Sequence, residues 1–355
     1  MPITAPGQVV LLGSGETLPS SGKIHEYIAR LLPDNPHIVI LETPAGFELN
    51  SDLVAGRIKN FLTRRLQNYQ PAIEVLPARR RGTPFSPDNP GIVAPILKAD
   101  EILLGPGSPT YGARQLQDSL ALHMITARQR RGGILFLSSS APISFGAYTL
   151  PVYEIYKAGL DLHWVPGLNF FGAYGLELTC VSHWNNNDGG EELDTSRCYI
   201  GQERFNQLLN LLPPGQTIVG IDEHTALILD FMEGHCRVQG NDSITILRSG
   251  KTQVFQSGDH FPLDILGEWH VPEGHSGIPD PVWEAAQQAE AERRSESQHE
   301  RRPSPEILSL VRARDKARDA RDWTSADALR DQIATLGWQI DDTPQGSQLT
   351  PIEDG

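Results

Sequence analysis

The segment GGILFLSSSAPISFG, residues 132–146, is where this sequence first offers a reactive group. An apolar run, Ile134 to Leu137, meets three serines and then a stretch of helical character. A hydroxyl on such an abrupt strand-to-helix turn stands clear of the backbone, and the amide after it can donate to a developing oxyanion. Ser140 is the expected nucleophile and the Ala141 amide an expected oxyanion donor. The same letters also suit a small-residue loop that only packs a strand against a helix. A serine hydroxyl needs a base. Of the 11 histidines, His183 in LELTCVSHWNNNDGG follows an apolar strand and precedes a polar loop, where an imidazole can reach a sheet end. The third group is a carboxylate that orients the imidazole and stabilises its charged form. Glu223 in VGIDEHTALIL follows another buried strand, with Asp222 as neighbour and competitor. A locally bonded loop histidine and a carboxylate capping a turn are the structural alternatives.

Positioning these groups needs a sheet. Short Val-, Ile- and Leu-rich runs recur at VVLL (9), HIVILET (37), EVLPA (74), EILLGPG (101), GGILFLSSS (132) and TIVGID (217), bounded by Gly, Pro or Asp. Such runs predict strands buried on both faces. Between them, Lys23 to Leu32 has helical spacing, with Ile24, Tyr27, Ile28, Leu31 and Leu32 on one face, and Leu53 to Leu66 repeats the pattern. Alternation of this kind predicts an α/β fold, a flavodoxin-like, mostly parallel sheet sandwiched by helices. Ligands bind beyond the carboxyl ends of such strands, where GSGE (13), PAGF (44) and GPGSPTYG (105) supply glycine turns. HCRVQG, DSITILRSG and KTQVF are expected as antiparallel strands closing a domain at 1–265. Residues 266–305 are polar and read as a linker, helical in part. Residues 306–350 regain helical pattern as a small helical hairpin, with Thr324 and Asp327 as its expected capping pair and Gly337 as its stop.

Composition narrows the function classes. The net charge of −14 excludes nucleic-acid binding by bulk electrostatics and leaves only a local basic patch. No apolar run is long enough to span a membrane, so no membrane partner is expected. The start, MPITAPGQVVLLGSGE, does not read as a secretory signal, and a cytoplasmic location is expected. Cys180, Cys198 and Cys236 are odd in number and lack CxxC spacing, so reduced thiols are expected, with neither a metal site nor a cofactor.

GSGE, GPGSPTYG, SSSAP, SHW and GIDEHTAL occur in this order over residues 8 to about 265, and GIDEHTAL is the most specific of them. In this the chain resembles the cyanophycinase and dipeptidase E group of serine peptidases. The resemblance implies a fold like class I glutamine amidotransferases and a triad of Ser140, His183 and Glu223. It also implies that Gly107 and Ser108 lie near the oxyanion, that the substrate is a small peptide or amide, and that the protein is a homodimer. Ser138 and Pro142 depart from the glycines usual in the elbow of that group. A catalytically silent binding protein on the same fold is the competing expectation. A glutaminase is not expected, because that chemistry uses a thiolate at the elbow.

The tail, ARDKARDARDWTSADALRDQIATLGWQIDDTPQGS at 313–347, resembles the C-terminal end of cysteinyl-tRNA synthetase. Arg314, Arg318, Asp322, Trp323, Asp342 and Pro344 are among the residues that carry the match. The synthetase signatures HIGH and KMSKS are absent. The resemblance implies contact with tRNA through 306–350, with docking to a protein partner as the alternative.

Overall fold

A computed structural model describes residues 5–300, 303–343 and 346–352, with side chains described outside 294–300. Pro344 lies outside the described residues. The chain forms two compact units, Met1–Ala289 and Glu290–Gly355.

The first unit begins with a βα alternation. In chain order it runs β1 (Val9–Leu12), α1 (Pro19–Ala29), β2 (His37–Leu41), α2 (Ser51–Arg65) and β3 (Ala72–Leu76). It continues through α3 (Pro90–Val93), β4 (Glu101–Leu104), α4 (Pro109–Leu116), α5 (Leu120–Arg130), β5 (Ile134–Ser138) and α6 (Ser140–Phe145). A two-residue pair, β6 (Tyr148–Thr149) and β7 (Val165–Pro166), flanks α7 (Val152–Tyr156). Then come β8 (Leu178–Val181), α8 (Gln202–Leu209), β9 (Thr217–Ile221), β10 (Thr225–Asp230), β11 (His235–Gly240), β12 (Ser243–Arg248), β13 (Lys251–Gln256) and β14 (His260–Pro262).

The eight-stranded sheet has the order β14-β11-β10-β1-β5-β4-β2-β3. Its half from β1 to β3 is parallel, and β10, β11 and β14 add antiparallel strands at the other end. Side chains alternate across each strand. Val9, Leu11, Val39, Leu41, Leu135 and Leu137 therefore enter one core, with α4 and α5. Val10, Leu12, Ile38, Ile40, Ile134 and Phe136 enter the other, with Ile24 and Ile28 of α1 and Ile58 and Leu62 of α2. Burying both faces is what selects uninterrupted aliphatic strands; each large side chain contributes about 1.5–3 kcal/mol. Leu31, expected on the inner face of the first helix, lies beyond its end and is exposed.

TIVGID does not join this sheet. As β9 it lies in a second sheet of order β13-β12-β9-β8, parallel to β8 and antiparallel to β12. Thus β9 and β10, consecutive in the chain, belong to different sheets, and the turn between them crosses from one to the other.

The stretch expected as a linker contributes to the core of the first unit. Helix α9 (Asp280–Glu300) spans much of it, and Ile278, Val282, Ala286 and Ala289 are buried. Their near-fourfold spacing makes a narrow stripe of mostly small residues, which a polar composition conceals. The second unit holds α10 (Pro305–Asp319), α11 (Trp323–Thr335) and a strand hairpin, β15 (Trp338–Thr343) with β16 (Gly346–Pro351). The hairpin adds to the two helices expected there. Asp322, not Thr324, caps α11, accepting from the Ser325 amide at 3.1 Å. Gly337 follows the helix in the left-handed region, φ +80°. Arg314 is buried and donates to both Asp342 carboxylate oxygens at 3.0 Å.

Among the described residues, no helix is long and apolar enough to cross a membrane, and no group of three or more His, Cys, Asp or Glu could hold a metal ion. All three cysteines are free and buried.

Candidate active site

β5 runs parallel to β1 with Leu12 opposite Ser138. The next residue, Ser139, donates its amide to the Leu12 carbonyl at 2.9 Å and then turns to φ +56°, ψ −104°. A non-glycine residue in that region costs about 1–3 kcal/mol, and such residues cluster at functional sites. Helix α6 starts immediately after it. Ser139, not Ser140, is therefore the residue on the bend. Its Oγ lies 3.0 Å from His183 Nε2. Ser140 is buried inside the first helical turn, and its hydroxyl donates to the Gly105 carbonyl at 3.3 Å. Ser138 is fully buried and donates to Glu16 Oε2 at 2.9 Å.

The assignment of Ser140 to the bend is thus corrected by one position. The amide following the hydroxyl on the bend is that of Ser140, and Ala141 lies one residue deeper in the helix. The small residue usual after the nucleophile is then Ser140, and Pro142 falls inside the first turn, where proline is tolerated.

His183 follows β8 and itself has φ +51°. Its Nδ1 lies 2.7 Å from Glu223 Oε1. A carboxylate only accepts, so Nδ1 carries a proton, and in the neutral imidazole Nε2 presents a lone pair to the Ser139 hydroxyl. Glu223 sits in the crossing turn between β9 and β10, which brings a residue of the second sheet's end over the C-terminal edge of β1 and β5. Two asparagines set its carboxylate and backbone. Asn186 Nδ2 donates to the same Oε1 at 3.1 Å, and the Glu223 amide donates to Asn185 Oδ1 at 2.8 Å. The hydrogen bond from His183, then that from Asn186, holds the Glu223 carboxyl below its ordinary range against the opposing effect of burial. Asp222 faces away, accepting from the Ser243 amide at 3.0 Å and hydroxyl at 2.6 Å.

The neighbourhood fixes this loop by packing. A Cβ on Gly220 would meet the Trp184 ring at 2.4 Å, so glycine in VGIDEH is what lets Trp184 lie on β9. The Arg197 guanidinium lies 3.9 Å from the centre of the same ring. The Tyr199 ring stands 6.1 Å from His183, and its hydroxyl donates to Asp188 at 2.7 Å.

Gly107 and Ser108 follow β4. Gly107 has φ +151°, and a Cβ there would meet the Pro44 carbonyl oxygen at 2.0 Å. The Ser108 amide donates to that carbonyl at 2.9 Å, and its hydroxyl accepts from the Tyr111 amide at 3.3 Å, capping α4. Ser108 is therefore spent on the loop's own structure, which leaves Gly107 as the closer match to an oxyanion donor.

Sequence reasoning did not single out Ser139, Asn185, Asn186 or Tyr199. The run of three asparagines after SHW was the available signal for two of them.

The fold is similar to the crystal structure of a peptidase from an acI-B1 Actinobacterium, with a TM-score of 0.60 and 20% identity, covering 73% of this chain and 98% of that one. The family model described as the cysteinyl-tRNA ligase anticodon binding domain matches residues 303–348. Cysteine–tRNA ligase of Lactobacillus helveticus is 49% identical over 45 residues, 13% of this chain and 10% of that protein. The Aliivibrio fischeri ligase is 50% identical over 42 residues, 12% of this chain and 9% of that protein. The chain thus spans about a tenth of the length of the curated relatives it matches. It joins a fold shared with a peptidase to a short segment similar to the anticodon binding domain of cysteinyl-tRNA ligases.

Proposed function

We propose that this protein is a serine hydrolase, peptidase-like, acting on a small or unusual amide or peptide bond through Ser139, His183 and Glu223. The observation that carries this reading is the continuous line from Ser139 Oγ to His183 Nε2 and from His183 Nδ1 to Glu223. His183 accepts the hydroxyl proton as Ser139 attacks the carbonyl carbon, and Glu223 stabilises the imidazolium that forms. The amides of Ser140 and Gly107 are the proposed donors to the oxyanion. His183 then gives its proton to the leaving amine, and water releases the acyl group from Ser139 by the same steps in reverse. The similarity to a peptidase fold agrees with this chemistry.

The experiment is labelling with a fluorophosphonate, followed by mass spectrometry of the modified peptide. Wild type labels at Ser139, and Ser139→Ala does not label. Ser140→Ala removes a hydroxyl already donated to Gly105 and keeps the backbone amide, so labelling at Ser139 persists. Equal labelling of wild type and Ser139→Ala sinks the proposal.

A second reading concerns residues 303–348. Their match to an anticodon binding domain supports tRNA as a partner of this segment. Retention of tRNA at stated salt, compared between the full chain and a chain ending at residue 302, tests it; equal retention rejects it.

A further inference from the structure

An open cavity of about 1040 Å3 lies beside the loop after β4, and Ser139, His183 and Glu223 do not line it. Ser108 and Thr110 form one side. Four cations reach its wall, Arg80, Arg81, Arg114 and Lys157, against two carboxylates, Glu48 and Glu154. In a chain with 44 acidic and 30 basic side chains, this is a local reversal of charge. Arg81 is engaged, donating to Asp88 and to the Gln117 carbonyl. Glu154 accepts from Thr110 at 2.6 Å. Among the described residues, Arg80, Arg114 and Lys157 have no ion-pair partner.

Flat aromatic surface lies among these charges. The Phe47 ring, 48% exposed, packs 5.1 Å from that of Tyr111. Arg114 stands 5.5 Å over Tyr111, and Lys157 stands 5.0 Å over Tyr153. Tyr153 also links the cavity to the loop after β4, donating to the Gly107 carbonyl at 3.4 Å. With Glu48 it lines a second cavity of about 290 Å3 that includes Glu16 and Gly107. The two cavities therefore share a wall.

Cations without a carboxylate partner call for an anion, and the exposed Phe47 ring calls for a flat apolar partner. Both in one cavity call for a ligand with an oxyanion and a π-system a few ångströms apart. A nucleotide has that build: bases stack on aromatic faces, and guanidinium forks match phosphate. A single carboxylate would leave the Phe47 ring uncovered and two of three cations unneutralised.

We propose that this cavity holds a short run of nucleotides, with one phosphate on each of Arg80, Arg114 and Lys157 and a base against the exposed Phe47 ring, and that the substrate of Ser139 carries this unit. Only the second half rests on the hydrolase reading.

The test is titration of the full chain with a short single-stranded RNA oligonucleotide, with AMP, and with triglutamate as the acidic peptide control. The RNA binds wild type, and its affinity falls about 20-fold between 50 and 200 mM salt if three phosphates are neutralised. Arg114→Ala reduces that salt response to about 7-fold. Phe47→Ala weakens binding by about 5- to 150-fold. Thermal unfolding establishes that each variant is folded. No binding of RNA or AMP by wild type overturns the proposal, as does wild-type affinity in both variants. Binding of triglutamate without RNA assigns the cavity to an acidic peptide instead. Bound RNA slows fluorophosphonate labelling of Ser139; RNA that binds and leaves labelling unchanged overturns the second half. Absence of labelling in wild type, with RNA still bound, sinks the hydrolase reading and leaves the nucleotide site standing.

Discussion

Replacing Glu223 by glutamine changes one charge and almost no volume, and the surrounding hydrogen bonds determine the outcome. Both His183 Nδ1 and Asn186 Nδ2 donate to the same carboxylate oxygen, at 2.7 and 3.1 Å. A glutamine amide satisfies both only by placing its carbonyl oxygen there. The flipped amide would set an NH2 group against two donors. Asn186 therefore holds the substituted amide in the orientation that keeps the His183 tautomer correct, and Glu223→Gln loses mainly the charge. Opposite charges about 4 Å apart at an effective dielectric of about 20 attract by about 4 kcal/mol. The side chains are 19% and 26% exposed, so solvent takes part of this, and about 3 kcal/mol is left, or roughly 10²-fold in rate. The assay is the second-order rate of fluorophosphonate labelling at pH 7. In an Asn186→Ala background the amide is free to flip, and Glu223→Gln then costs more, approaching the ~10⁴-fold loss of a wrong tautomer. A slowing of Glu223→Gln by less than about fivefold, or an identical effect in both backgrounds, refutes the reasoning.

Gly107→Ala puts a Cβ against the Pro44 carbonyl and displaces the loop that presents the Gly107 amide; labelling slows by about 10²-fold and the thermal midpoint drops. Glu101 is fully buried at the start of β4, and burial, reinforced by Asp100, raises its pKa to about 8. The unfolded chain releases this proton near pH 4.5, so stability falls as pH rises from there to about 8, by about 5 kcal/mol in all. Glu101→Gln removes that slope, which urea denaturation at several pH values measures. Arg314→Ala breaks the paired hydrogen bonds to Asp342 in the second unit. Because Asp342 is 44% exposed, water offsets part of the loss, and about 1–3 kcal/mol is expected. Hydrogen exchange of amides in 305–351 reports it.

Much of the architecture was legible because buried parallel strands have few solutions. VVLL, HIVIL, EILL and ILFLS must be covered on both faces, and their aliphatic runs say so directly. The burial of helix α9 was not legible: its buried stripe includes Ala286 and Ala289, which an average over EAAQQAEAERR hides. The destination of TIVGI was not legible either, since period and hydrophobicity are the same for a strand of either sheet. His183 and Glu223 could be named because each stands at the end of an apolar run, and the resemblance of GIDEHTAL to a peptidase group chose Glu223 over its neighbour Asp222.

The order of the residues determined which groups are present: a serine cluster on a strand-to-helix turn, and histidines and carboxylates past buried strands. The tertiary structure decided which serine faces them. Ser138, Ser139 and Ser140 are chemically identical, and only the point where β5 stops pairing with Leu12 tells them apart. That pairing turns one hydroxyl to Glu16, one to His183 and one into the first turn of a helix.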